Sequence, residues 1–264
     1  MSLEVKFEEN IIFKYGQFKD LKRTLSDRTL GFSRLNELND PFEASYNYVH
    51  HFISLERSNN FSNNCTKGNE SDFVNKIQNL IEEELNKISI TCFTRTPSEP
   101  LMWAHYAQNH TGVCYCFDRS KLFINRDFKV DDVEYSSKLP KLYFFEESTT
   151  QSQIYSQLGE VICAKSDAWA YEKELRYYVQ SEAKAQNYEP NALVGIVLGC
   201  RVSSEEIGDA LRLIAQYNQM NQQEVKLYYS AMSGWLYEMV VHNMNIKVSS
   251  IGNAVIPSEQ PISS

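Results

Sequence analysis

The 264-residue chain is 42% hydrophobic and 23% charged, an ordinary globular composition with enough length for a substantial core. Its 34 acidic residues outnumber 26 basic ones, and the formal net charge of -8 excludes non-specific nucleic-acid binding through a general positive field. No apolar run follows a basic patch near the N-terminus and no segment reaches the length of a membrane span, so a cytoplasmic protein without a membrane partner is expected.

In chain order, Ile11–Tyr15 reads as a short strand ended by Gly16, residues 17–27 as a helix carrying Phe18, Leu21 and Leu25, and Thr29–Ser33 as a second strand. Leu35–Glu43 is a shaped loop. Asn39 and Asp40 precede Pro41, which favours a turn, with Phe42 as its anchor and Glu43 as a polar contact. The Asn- and Ser-rich stretch 56–70 predicts a mobile loop, and Ser71 caps a helix running to about Lys87. Ile88–Thr94 alternates as a strand should. Pro97 and Pro100 then lead into a short helix over Leu101–Ala107 that stops near Gly112. Val113–Asp118 and 128–135 predict two more strands of an antiparallel meander, residues 139–164 predict helix in two pieces, and Lys165–Ala168 a polar turn. Leu193–Leu198 is a buried strand, Ser204 opens a helix to about Met220, and Glu224–Tyr229 and Met244–Val248 are closing strands before a frayed tail, 257–264. Short strands interleaved irregularly with helices predict an α+β fold on a mainly antiparallel sheet, with 1–256 as a single domain.

The six cysteines lie mostly in apolar runs and read as small buried hydrophobes, not a disulfide framework. His105, His110, Cys114 and Cys116 do not have a common zinc spacing, so no metal is expected there. The chain has no glycine-rich phosphate loop, no Gly-x-Ser-x-Gly elbow and no His-Glu-x-x-His.

The richest window is Trp169–Val179. As an unbroken strand from Glu172, it puts Glu172, Glu174, Arg176 and Tyr178 on one face and Lys173, Leu175, Tyr177 and Val179 on the other. A carboxylate ladder with a guanidinium next along can tune ionisation or support a cationic transition state, or it can be a solvated strand face paired in water. Helical spacing also groups Trp103, His105 and Tyr106, which read either as walls of an aromatic pocket or as core.

Three segments together resemble a bacterial family catalogued as domain of unknown function 2971. They are Phe13-Lys-Tyr15 with Asn39-Asp-Pro-Phe-Glu43, then Cys92-Phe-Thr94 with Leu101–Ala107 and Gly112, and Lys165 with Trp169–Arg176. The order of Phe13-Lys-Tyr15, Ile90–Thr94 and Glu172-Lys-Glu174 also resembles the split antiparallel core of ADP-ribosyltransferases, whose last motif is Glu-x-Glu.

The second resemblance implies an ADP-ribosyltransferase-like fold and an enzyme that cleaves the nicotinamide–ribose bond of NAD, its substrate, in a bacterial defence or toxin setting. Glu174 would then face the ribose and its developing charge, and Glu172 would orient the acceptor. Lys14, Tyr15, Trp103, His105, Tyr106, Lys165, Trp169 and Arg176 would hold the dinucleotide, with Asn39, Asp40, Phe42 and Glu43 as the substrate loop. Two other readings stand beside it. One is a recognition module that uses the same pocket only to bind a nucleotide or a partner. The other is a metal-dependent hydrolase or nuclease converging Asp40, Glu43, Glu172 and Glu174 on a divalent cation.

Overall fold

The computed structural model describes residues 4–43, 75, 78–124, 126–140 and 151–244. In chain order they form β1 (Ile11–Gly16), α1 (Leu21–Asp27), β2 (Thr29–Gly31), α2 (78–85), β3 (Ile88–Thr94), α3 (Pro100–Tyr106), β4 (Val113–Asp118), β5 (Lys129–Asp132), β6 (Glu134–Ser136), α4 (Gln151–Ile162), β7 (Ala164–Ser166), β8 (Glu174–Gln180), β9 (Ala185–Asn187), β10 (Leu193–Leu198), α5 (Ser204–Asn221), β11 (Lys226–Met232) and β12 (Met239–Asn243). These residues divide into two units, the first within 1–29, 95–124 and 187–264 and the second within 30–94 and 125–186.

In the first unit the strand order is β12-β11-β10-β4-β1. All pairs are antiparallel except β10 with β11, the two strands joined through α5. A crossover helix is what a parallel pair requires. That helix has a capping box: Ser203 Oγ accepts the Glu206 N–H at 3.2 Å, and Glu206 Oε2 accepts the Ser203 N–H at 2.9 Å. Its Ala210, Ile214 and Tyr217 are buried. Every residue of β4 is buried, as expected of a strand covered on both faces. Gly199 is needed where the chain passes His110, because a Cβ there would lie 2.1 Å from the His110 carbonyl oxygen.

The second unit is built on an antiparallel sheet of order β3-β8-β5, in which Thr94 lies opposite Glu174 and Cys92 opposite Arg176. Ile81 and Leu85 of α2 and Ile154, Leu158, Val161 and Ile162 of α4 cluster with Ile88, Ile90 and Tyr178 of the sheet. Each such buried side chain contributes roughly 1.5–3 kcal/mol. A separate pair, β6 with β7, runs parallel and sets Tyr135 against Lys165.

The result is an α+β architecture with mostly antiparallel pairing. Several local expectations need correction. Residues 128–135 are two strands, not one, because the Val133 N–H bonds to the Glu174 carbonyl at 3.0 Å and the chain then leaves to pair with β7. The parallel β6–β7 pair departs from a simple meander for the same reason. Ala164–Ser166 is strand, where helix to residue 164 and a polar turn from Lys165 were expected, and Leu139 and Pro140 are not helical. Strand β12 precedes the expected closing strand at 244–248, which from residue 245 lies outside the described residues; so do the loop 56–70 and the tail 257–264. Cys114, Cys116 and Cys163 are buried free thiols as expected, whereas Cys200 is exposed. Among the described residues, no helix is long and apolar enough to cross a membrane.

Candidate functional site

The Trp169–Val179 window is not one strand. Asp167–Glu172 is a 3-10 segment opened by Ser166, whose Oγ accepts the Ala168 N–H at 3.4 Å, and Lys173 is left-handed with φ 45°. Strand β8 therefore starts at Glu174. The turn lifts Glu172 off the strand face but keeps it within reach of Lys165 on β7. The alternation from Glu174 onward holds, with Arg176 and Tyr178 sharing its face.

That face is not solvated. Glu172, Glu174 and Arg176 are 2%, 5% and 0% exposed, so the reading of a water-paired ladder is overturned. Lys165 Nζ lies 2.6 Å from Glu172 Oε2, 3.2 Å from Glu174 Oε2 and 3.1 Å from Glu43 Oε1, the last an ion-pair contact without hydrogen-bond alignment. Arg176 grips both oxygens of Glu174, Nε to Oε1 at 2.9 Å and Nη2 to Oε2 at 3.0 Å. It also donates to Glu43 Oε2 and to the Ile162 carbonyl. The Glu174 N–H donates to Tyr135 Oη at 2.8 Å, which pins the start of the strand. Lys165 Nζ sits 5.2 Å from the centroid of the half-buried Trp169 ring, within cation–π range.

Removing charges from water costs several kcal/mol per ion, and only dense pairing offsets it. Burial alone would raise the Glu174 carboxyl, but Arg176, by charge and hydrogen bond, and Lys165 outweigh it and hold the group down to about 2. Burial works against the Lys165 charge too, yet Glu174, Glu43 and Glu172 keep its pKa well above the usual lysine value. Glu43 goes the other way: burial raises it, and Arg176 and Lys165 only partly compensate. Since both Glu174 oxygens are engaged by cations, a ribose hydroxyl would have to share them with Arg176 and Lys165.

Beside the cluster lies a cavity of about 160 Å³, lined by residues 136–140, by Ala164–Ser166 and by Asp40, Phe42 and Glu43. Asp40 is 2% exposed. Its Oδ1 accepts the Phe42 N–H at 2.9 Å, the bond that shapes the loop, while its Oδ2 has no hydrogen-bond partner among the described residues. Phe42 is 59% exposed at the rim, and Asn39 is exposed on the same loop. The turn at Asp40 and the polar contact through Glu43 are found as the sequence suggests, but Phe42 is exposed and does not anchor the loop; the burial of Glu43 in the ion cluster holds it instead.

The remaining candidates belong to the first unit. Lys14 is half-buried on β1. Tyr15 is buried edge-on to Trp103, with ring centroids 5.0 Å apart, and donates to the Thr96 carbonyl at 3.3 Å; burial, then the neighbouring Cys114, Glu99 and Cys116, raise its hydroxyl. Trp103 is fully buried and donates its indole N–H to the Pro97 carbonyl at 2.8 Å. Of the two readings open for Trp103, core is the one found. His105 is exposed and Tyr106 half-buried, their ring centroids 6.2 Å apart. Sequence reasoning missed Tyr135, Ser136, Lys138 and Ser166. Strand register brings Tyr135 beside Lys165, and nothing local to residue 135 signals that pairing.

An α+β protein whose second unit holds a cluster of buried ions beside a cavity of mixed polar and apolar lining is what this geometry defines. Residues 102–177 match the family described as Protein of unknown function (DUF2971), the family that the three segments resembled. The matched stretch includes Lys165, Trp169, Glu172, Glu174 and Arg176 and leaves out the Asn39–Glu43 loop. No curated protein and no solved structure matches the chain.

Proposed function

We propose that the second unit is a recognition module for a small polar ligand, held in the cavity between the Asp40–Glu43 loop and residues 136–140. The observation that carries this reading is that Lys165 and Glu43 line the cavity and are also locked into the ion cluster, so two walls of the site are preorganised before any ligand arrives. A cavity of about 150 Å³ holds a benzene-sized ring, so this one suits a ring or a short chain, not a whole dinucleotide. The cluster has little left to spend on chemistry. Glu174 is doubly gripped, a pyrophosphate would have to displace carboxylates from Lys165 and Arg176, and a divalent metal would have to displace those cations from the carboxylates.

NAD, implied by the ADP-ribosyltransferase resemblance, remains the first dinucleotide to try, through its nicotinamide or ribose end. The test is calorimetric titration of the purified chain with NAD, ADP-ribose, nicotinamide and a panel of small polar fragments, with nicotinamide release measured in parallel. Saturable binding of at least one ligand, weakened by substitutions at Lys138 or Phe42 on the rim, with no nicotinamide released, is the expected result. Nicotinamide release that disappears in Glu174→Gln while the variant stays folded would overturn it in favour of ADP-ribosyl transfer.

A further inference from the structure

The first unit carries an exposed apolar surface of its own. In the turn between β11 and β12, Trp235 is 96% exposed, Tyr237 is fully exposed, and Met232 and Leu236 are mostly so. From Leu227 to Tyr237 no side chain is charged. Tryptophan and tyrosine dominate binding energy where protein surfaces meet, and a soluble monomer rarely leaves several large apolar side chains open to water side by side.

The turn is shaped by its own hydrogen bonds. The Ser233 N–H donates to the Glu238 carbonyl at 3.0 Å, and Ser233 Oγ accepts the Trp235 and Leu236 N–H groups at 3.3 and 3.2 Å. At its base Met239 is buried and donates its N–H to the Ser98 carbonyl at 3.0 Å. The aromatic side chains therefore stand out on a preorganised backbone, which lowers the entropy lost on docking. Strand β12 is the edge of its sheet, yet it has little backbone left for a further strand: the Met239 N–H is used by Ser98, and the Val241 carbonyl accepts the Val5 N–H at 2.8 Å. A partner meets the side chains of the turn and does not extend the sheet.

Area and charge choose the partner. An exposed Trp or Tyr offers about 150–250 Å² and a Leu or Met side chain about 100 Å², so the turn presents roughly 500–700 Å² per copy. Two such turns face to face bury about 1,000–1,400 Å², which reaches the lower end of specific interfaces. Copies with a net charge of -8 repel one another over most of their surface, and an uncharged turn is where they can meet without opposing like charges. A lipid surface fits less well, because an interfacial anchor sets basic residues beside its aromatic ones and the charge next to this turn is Glu238. We infer that the Met232–Tyr237 turn is a self-association surface through which two copies of the chain pair tip to tip. The same patch on both copies closes a two-fold dimer.

The experiment is sedimentation velocity of the full chain from about 1 µM to about 500 µM, with circular dichroism and melting temperature taken on every variant. A reversible monomer–dimer equilibrium with a dissociation constant of roughly 1–100 µM is expected. Trp235→Ser should weaken it by about tenfold or more at an unchanged melting temperature, and Tyr237→Ser, which should do the same, decides the matter if Trp235→Ser fails to fold. Met220→Ser, at another exposed apolar position, on α5, should leave the dimer as it is. A chain that stays monomeric across the range overturns the inference, as do a dimer unaffected by either turn variant, a dimer weakened equally by Met220→Ser, and an open-ended series of larger species. The same samples are spun with phosphatidylcholine vesicles. A wild-type monomer that pellets with the vesicles, while Trp235→Ser does not, also overturns self-association and assigns the turn to a lipid surface.

Discussion

Arg176→Met is the perturbation that tests most directly whether the ion cluster holds the second unit together. The guanidinium is 0% exposed and serves Glu174 through two bonds, Glu43 through one and the Ile162 carbonyl at the end of α4 through another. Methionine has similar reach and no donors. It leaves Glu174 with Lys165 as its one cation, strips Glu43 of its stronger partner and takes the guanidinium from a buried carbonyl. Breaking one partner out of a buried ion pair typically costs about 3–5 kcal/mol, against a total stability of roughly 5–15 kcal/mol for a folded domain. The urea midpoint, followed by far-ultraviolet circular dichroism, should fall by roughly a fifth or more. Replacing both partners, Arg176→Met with Glu174→Met, should recover at least 1 kcal/mol of the loss, because the stranded charge is removed too. A single variant that costs under about 1 kcal/mol, or a double variant worse than the sum of its singles, would refute the reasoning.

Glu174→Gln should destabilise by about 2–3 kcal/mol in the same assay, since its amide NH₂ is forced against Arg176 or Lys165 where an anion stood. Because Glu174 is held below its ordinary value of 4.5, its pairing stabilises fully above about pH 4.5, and that contribution is lost as pH falls towards about 2. Acid titration of stability should therefore show a decline across that window that flattens in Arg176→Met. In the first unit, Gly199→Ala forces a Cβ onto the His110 carbonyl and should cost about 3 kcal/mol or more, whereas Gly208→Ala, in open space on α5, should stabilise by about 0.5–1 kcal/mol, both read by thermal melting. Trp103→Phe removes the indole donor from the Pro97 carbonyl and leaves a void, so a loss of about 2 kcal/mol in urea is expected.

Much of the local structure could be read along the chain. Ile88–Thr94, Val113–Asp118 and Leu193–Leu198 declare themselves by alternating or continuous apolar residues between turn formers, and the α5 helix by its Ser-led start, because periodicity records which face is buried. The Asn39–Glu43 turn was legible for a similar reason: Asp before Pro shapes its own backbone. What the sequence could not show is where charges go. Glu172, Glu174 and Arg176 read equally well as a wet strand face, and their burial is decided by α4 and by Glu43, 133 residues before Arg176, closing over them. The break at Lys173 was hidden as well, since a lysine at φ 45° has no residue signature of the kind glycine provides. Residue types and their periodicity set the strands and helices of this protein. Long-range packing alone decided that three glutamates share one lysine and one arginine out of water, and that Asp40 Oδ2 is buried without a hydrogen-bond partner among the described residues, because desolvation and pairing depend on distances through space that no spacing along the chain encodes.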